Sequence, residues 1–274
     1  MEHYHWLVPL GFILGTYGTL VGAGGAFILV PILLLVYPQA SPETITSISL
    51  AVVFFNTVSG SLAYAGTKRI DYQSGLLFSL AAVPGAVLGA LATCYVPRPM
   101  FDALLGTVLI GGAVFIFGRP DPSSLSITNA QLHPLRRRLV DSSGKVYDFS
   151  YNPALGLGLS SIVGFLSSLL GIGGGVLHVP ALIKLLGFPA HIATATSHFM
   201  LAIMSLTATI VHIATGAFTQ GARRTLALSV GMIIGAQLGV LLSDRLRGRL
   251  LVRGLAVALA LVGLRLFWTV CQSP

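Results

Sequence analysis

Two stretches decide the fold: LVGAGGAFILVP, Leu20 to Pro31, and LLGIGGGVLHVP, Leu169 to Pro180. Laid over each other, Gly22, Gly24, Gly25, Val30 and Pro31 fall on Gly171, Gly173, Gly174, Val179 and Pro180, an offset of 149 residues. With a one-residue gap in the next loop, Thr46 and Ser49 fall on Thr194 and Ser197, and further on Gly85 and Gly89 fall on Gly235 and Gly239. Order and spacing both persist, which reads as a duplication. A glycine run inside apolar sequence lets a helix stop and restart, because glycine accepts positive φ and close backbone approach.

Outward from these motifs the chain is a lipid-solvated one. Its 274 residues are 54% hydrophobic and only 9% charged, where soluble domains carry roughly a quarter charged residues; mean hydropathy is +0.87. The net charge of +8 does not point to nucleic acid, because the basic residues sit at the ends of apolar blocks and in one polar segment. The charge therefore reads as membrane topology. Cys94 and Cys271 lie at or within apolar blocks and suggest neither a disulfide framework nor a thiolate metal site. The stretch Met1 to Trp6 holds Glu2 and two histidines instead of a positive region, so no removable signal peptide is expected.

A window of about 19 residues separates eight apolar blocks at 7–37, 44–66, 72–96, 100–118, 153–186, 192–216, 224–243 and 250–271. Six suit one span each. The first and fifth exceed 30 residues, where about 20 cross the hydrocarbon, and each is interrupted by one glycine motif. The predicted fold is an all-α polytopic membrane protein of two homologous four-block repeats, residues 1–118 and 153–274. Residues 119–152, with Arg136, Arg137, Arg138, Lys145 and several Pro, Ser and Asp, form a polar cytoplasmic connector.

Basic residues favour the cytoplasmic side and so distinguish two topologies. If the first and fifth blocks are kinked spans, nine basic residues face six; if each is a re-entrant hairpin turning at its glycines, Arg98, Arg223 and Arg224 lie outside and twelve lie inside. Both counts omit Arg265, inside the last block. The stronger asymmetry favours re-entrant hairpins and an inverted second repeat, the arrangement in which transporters hold substrate between discontinuous helices.

At each break a half-helix begins, near Ala26 or Val176, with unpaired amides and the positive end of its dipole aimed at the break. Gly22, Gly24 and Gly25 with Gly171, Gly173, Gly174 and Gly175 therefore frame a candidate anion site. Gly85-x-x-x-Gly89 and Gly235-x-x-x-Gly239 read as packing faces. The next span of each half opens with hydroxyls: Thr44, Thr46, Ser47 and Ser49, then Thr194, Thr196 and Ser197. Capping and back-bonding would account for at least half of such groups; Thr46, Ser49, Thr196 and Ser197 are the pocket candidates. Asn56, His178 and His198 are further candidates and His212 a weaker one, since ionisable groups inside spans mark pathways and imidazole can hold an anion or pass a proton. No zinc-protease pattern or nucleophile elbow occurs, so neither an enzyme nor a cofactor is expected.

The motif G-I-G-G-G-V-L-H-V-P at Gly171 to Pro180, followed by Ala193, Thr196 and Ser197, resembles the TauE/SafE sulfite exporter family, also called the 4-toluene sulfonate uptake permeases. The first copy carries Ala26 in place of the third glycine and Ile48 in place of the hydroxyl of Thr196. The resemblance implies transport of sulfite, thiosulfate or organosulfonates such as sulfoacetate across a bacterial inner membrane, usually outward. With few carboxylates in the spans to coordinate sodium, the expected energetics are proton coupling through His178 or His198, or uncoupled passage down the gradient. An anion channel of the same architecture and an uptake permease remain as alternatives.

Overall fold

The computed structural model describes residues 4–118, 135–243, 245 and 248–272. Residues 1–3, part of the segment read for a signal peptide, and residues 119–134 of the connector lie outside these. The helices are α1 (Leu7–Val21), α2 (Ala26–Val36), α3 (Pro42–Thr67), α4 (Tyr72–Ala92) and α5 (Arg98–Gly118) in the first half. In the second half they are α6 (Pro153–Leu170), α7 (Gly175–Lys184), α8 (Ala190–Ala214), α9 (Ala222–Ser243) and α10 (Gly248–Gln272). Among the described residues six helices, α3, α4, α5, α6, α8 and α9, are long and apolar enough to cross a membrane.

The fold is not wholly helical. Strands β1 (Leu135–Val140) and β2 (Val146–Tyr151) pair antiparallel with Leu135 opposite Tyr151 and Val140 opposite Val146. A search tuned to long apolar runs passes over this hairpin, because its pattern is of period two. Leu139, Tyr147, Phe149 and Tyr151 lie on the face packed against the helices, while Arg136 and Arg138 alternate outward and are exposed. Gly144, at φ 82°, sits in the turn.

Both long blocks reverse at their glycines. Tyr151, just before α6, and Phe188, just after α7, stack with ring centroids 5.1 Å apart, so the α6–α7 unit leaves and returns at the end of the bundle that carries the β-hairpin. The α1–α2 unit does the same at the opposite end. Tyr37, just after α2, lies under the Arg224 guanidinium at 3.7 Å, and one turn further along α9 Leu228 packs on Gly11 of α1. Between them α3 and α8 run antiparallel: Asp71, beyond the end of α3, donates its N–H to Thr196 near the start of α8, and Ser47 near the start of α3 reaches Ala217 beyond the end of α8.

Inside a bilayer apolar burial does not drive helices together, so close approach of small residues must do it. Along α4 and α6 a methyl group at Gly85, Gly89 or Gly164 would meet the facing backbone at 2.3 Å or less. Gly11, Gly231 and Gly235 make the same kind of seam between α1 and α9, again within 2.3 Å. Each re-entrant outer arm is thus clamped along its length by a full span from the same end of the bundle. Arg98, at the start of α5, pairs with Asp102 at 3.1 Å and donates to the carbonyls of Leu34, Pro38 and Ala40, which follow or close α2. The Leu34 carbonyl, in the last turn of α2, would otherwise end the short helix without a partner, because Pro38 has no N–H to give it.

Candidate anion site

The two glycine breaks have the same backbone. Gly22, Gly24 and Gly25 take φ of 79°, 71° and 80°, and Gly171, Gly173 and Gly174 take 69°, 77° and 80°. In each, one left-handed glycine closes the outgoing helix, with Gly22 N–H bonded to Thr19 and Ile172 N–H to Ser167. The other two turn the chain into the next half-helix. Only residues without a Cβ adopt this sequence of conformations cheaply.

The breaks touch. A methyl group on Gly175 would lie 2.4 Å from the Gly22 carbonyl oxygen and 2.6 Å from Ala23 Cα. The N-termini of α2 and α7 consequently converge in the interior, with α2 running from the break to one end of the bundle and α7 to the other. Among the described residues the amides of Ala26 and Phe27, and of Gly175 and Val176, find no backbone acceptor. Two sets of aligned N–H groups and two positive dipole ends meeting in the buried interior favour negative charge between them.

Each break is held by the opposite half. Ser197 on α8 donates to the Gly22 carbonyl at 3.1 Å, and Ser49 on α3 donates to the Gly171 carbonyl at 2.8 Å. Thr194 packs on Gly22 and Thr46 packs on Gly171 through their methyl groups. The hydroxyls of the two threonines return to their own helices, Thr46 to Glu43 and Thr194 to Ala190. Thr196 is turned away from the breaks and accepts from Asp71.

Around the first break the structure assembles Asn56, which donates to the Gly24 carbonyl and accepts from Thr19. Thr19 in turn contacts His198 Nε2 at 3.1 Å, and Tyr64 donates to the Thr19 carbonyl. Thr19 and Tyr64 were missed in the sequence because each is an ordinary apolar-block residue until the fold brings it beside Asn56. Around the second break, His178 lies near Gly174, Ser167 and Met204. Among the described residues both ring nitrogens of His178 and Nδ1 of His198 are buried without a hydrogen-bond partner, as are both nitrogens of His212 and Oγ1 of Thr209. Buried polar atoms without partners are costly, and in a transport path they are where a solute or water is received. Asn56, His178 and His198 are thus brought to the breaks, as are Ser49 and Ser197, whereas His212 lies about two helical turns beyond Met204 toward the other end of α8.

A model of the family described as Sulfite exporter TauE/SafE matches residues 7–266. The chain belongs to this family. It is 32% identical over 270 residues, 96% of each chain, to the probable membrane transporter protein YunE of Bacillus subtilis (strain 168). It is 26% identical over 205 residues, 73% of this chain and 68% of the relative, to the probable membrane transporter protein MJ0441 of Methanocaldococcus jannaschii. No solved structure matches it. This TauE/SafE chain is accordingly a multi-pass membrane transporter and not an enzyme. Among the described residues one apolar groove is lined by Gly111, Phe115, Leu166 and Leu177 and another by Ile110, Phe117 and Leu264.

Proposed function

We propose that this transporter moves small sulfur-containing oxyanions, such as sulfite, thiosulfate or sulfoacetate, outward across a bacterial inner membrane by alternating access. The observation that carries the reading is the convergence of two helix N-termini at abutting glycine breaks, with Gly175 against Gly22 and Ala23. An oxyanion offers several acceptors to unpaired amides and hydroxyls and needs no buried arginine to hold it. The substrate contacts proposed are the breaks themselves, Gly22, Gly24, Gly25, Gly171, Gly173, Gly174 and Gly175, with Asn56, His178 and His198. Ser49 and Ser197 hold the breaks in shape, Thr46 borders the second break, and Thr196 is not among the contacts because it faces Asp71.

The two halves, 1–118 and 153–274, are read as inverted repeats joined by the 119–152 segment. The reciprocal Ser49–Gly171 and Ser197–Gly22 bonds support that reading, as does the return of each re-entrant unit to opposite ends of the bundle. The hairpin end is the cytoplasmic one. Of the described basic residues at the two ends, Lys68, Arg69, Arg136, Arg137, Arg138, Lys145, Lys184, Arg245, Arg249 and Arg253 belong to it, against Arg98, Arg223 and Arg224. Protons are the proposed coupling ion, carried through His178.

Flux of radiolabelled sulfite, sulfate, thiosulfate and sulfoacetate across proteoliposomes, with and without a pH gradient, tests the proposal. Saturable counterflow of a sulfur anion is expected. Unsaturable flux would make the protein a channel, and flux of none of the four would remove the substrate class. Replacing His178→Ala should abolish stimulation by the pH gradient; a retained gradient response would overturn the proton relay.

A further inference from the structure

The β-hairpin is joined to the α3–α4 loop by two ion pairs with exchanged signs. Arg69 on the loop meets Asp141 on the hairpin at 3.4 Å, and Arg137 on the hairpin meets Asp71 on the loop at 2.5 Å, with a second contact from its Nε at 3.1 Å. Arg137 also reaches Gln73. Asp71 is fully buried and Asp141 nearly so, and both are closed in by further bonds. The Ser74 hydroxyl donates to Asp71 and meets the Tyr151 phenol, each at 2.5 Å, and Ser142 N–H donates to the Thr67 carbonyl at 3.0 Å. Charge-assisted pairs of this kind, partly buried and embedded in a network, are worth more than exposed ones.

The same face of the hairpin, on which Phe149 stands opposite Arg137, is also bound to the second half. Phe149 and Tyr151 lie 4.5 and 5.1 Å from the ring of Phe188 in the α7–α8 loop, in a cluster with Leu182, Leu186 and Ile192. Immediately beyond, Thr194 and Ser197 on α8 hold the Gly22 break, and Asp71 itself is bonded through its N–H to Thr196. The hairpin therefore straps the α3–α4 loop of one half to the α7–α8 loop of the other, above the first break.

We infer that the β-hairpin is the inner gate of the transporter, a strap whose two exchanged ion pairs hold the path to the glycine breaks shut from the cytoplasmic end. The inference rests on the transport reading above but not on its substrate. Opening separates Arg69 from Asp141 and Arg137 from Asp71, and lifts Phe149 and Tyr151 from Phe188. Exchanged signs suit a strap that must reseat in one register, since a shifted hairpin would bring Arg137 toward Arg69 and Asp141 toward Asp71.

The test uses the full chain in lipid nanodiscs, with Cys94 and Cys271 replaced by serine and one reporter cysteine at a time. Leu186→Cys lies beneath the hairpin, and Val53→Cys lies at both breaks, where Val53 packs on Gly24 and Gly173. Arg69→Asp, Asp141→Arg and Arg137→Gln should each raise maleimide alkylation at both reporters by about tenfold, the loss expected of one charge-assisted contact. The double exchange Arg69→Asp with Asp141→Arg should return both rates to near the parent value, which separates strap release from misfolding. Faster alkylation at position 186 with no change at 53 would make the hairpin a cover and overturn the gate. Unchanged rates at both, or no recovery in the double exchange, would overturn the role of the ion pairs. Absence of sulfite flux in the parent protein would count against the proposed substrate alone, because alkylation reads the gate without it.

Discussion

Replacing Gly175→Ala isolates the contact on which the site depends. Gly175 is the first residue of α7 and takes no left-handed φ, so alanine suffers no backbone strain there and would ordinarily help a helix by about 1 kcal/mol. Its methyl group would nevertheless lie 2.4 Å from the Gly22 oxygen and 2.6 Å from Ala23 Cα, at least about 1 Å inside normal contact. Both opposing atoms are backbone, held in turn by the Ser197 bond to Gly22, so neither can rotate aside. Relief requires the two breaks to separate, at an overpacking cost of about 1–3 kcal/mol. That corresponds to a fall in Tm of several degrees, at about 2–4 °C per kcal/mol for a chain of this size. Thermal unfolding of the detergent-solubilised protein would measure it, beside anion counterflow, which should fall with it. Gly66→Ala in α3 is the control, because a methyl group there meets nothing within 4 Å. If Gly175→Ala and Gly66→Ala prove equally stable and the former keeps full flux, the breaks do not abut and the converging-dipole site is wrong.

Ser49→Ala and Ser197→Ala should each destabilise the protein by about 1 kcal/mol, the usual net worth of a buried hydrogen bond, and should add to within about 0.5 kcal/mol in the double variant. Thermal shifts that appear in only one of the two would show that the breaks are not held equivalently. The Asp141 carboxyl sits at about 2: burial raises it, but the Ser143 hydroxyl, the N–H groups of Lys145 and Ser143, and the Arg69 charge lower it further. A pKa below the unfolded value of about 3.9 contributes stability that is complete above that value and lost as pH falls through about 2. Amide exchange at Ser143 and Lys145, corrected for its intrinsic pH dependence, should therefore accelerate across that window. An Asp141→Asn variant should show a flat profile, and an unchanged titration in that variant would assign the effect to another group.

Much of the architecture was legible before any coordinates. Charge poverty and block lengths announce membrane spans because a bilayer tolerates little else over about 20 residues. G-x-G-G within an apolar run announces a break because the necessary φ values exclude other residues. The glycine pairs at 85 and 89 and at 235 and 239 were readable as packing faces, and they do seat α4 on α6 and α9 on α1. The hairpin was not legible, since strands of six residues in a polar segment leave no trace in a window sized for spans. Nor could the sequence sort its hydroxyls: Ser49 and Thr46 look alike, yet one reaches Gly171 and the other its own helix.

By itself the sequence determined where the helices break, how many blocks are lipid-solvated and which family the motifs resemble, because each of these depends on local backbone freedom or on transfer from water to lipid. The tertiary structure alone decided what the breaks face. The contacts that matter join Ser197 to Gly22, Ser49 to Gly171 and Thr19 to His198 across separations of 175, 122 and 179 residues. No periodicity records such partners. They follow from the way two re-entrant units, entering from opposite ends and clamped by glycine seams, bring the N-termini of α2 and α7 to one place.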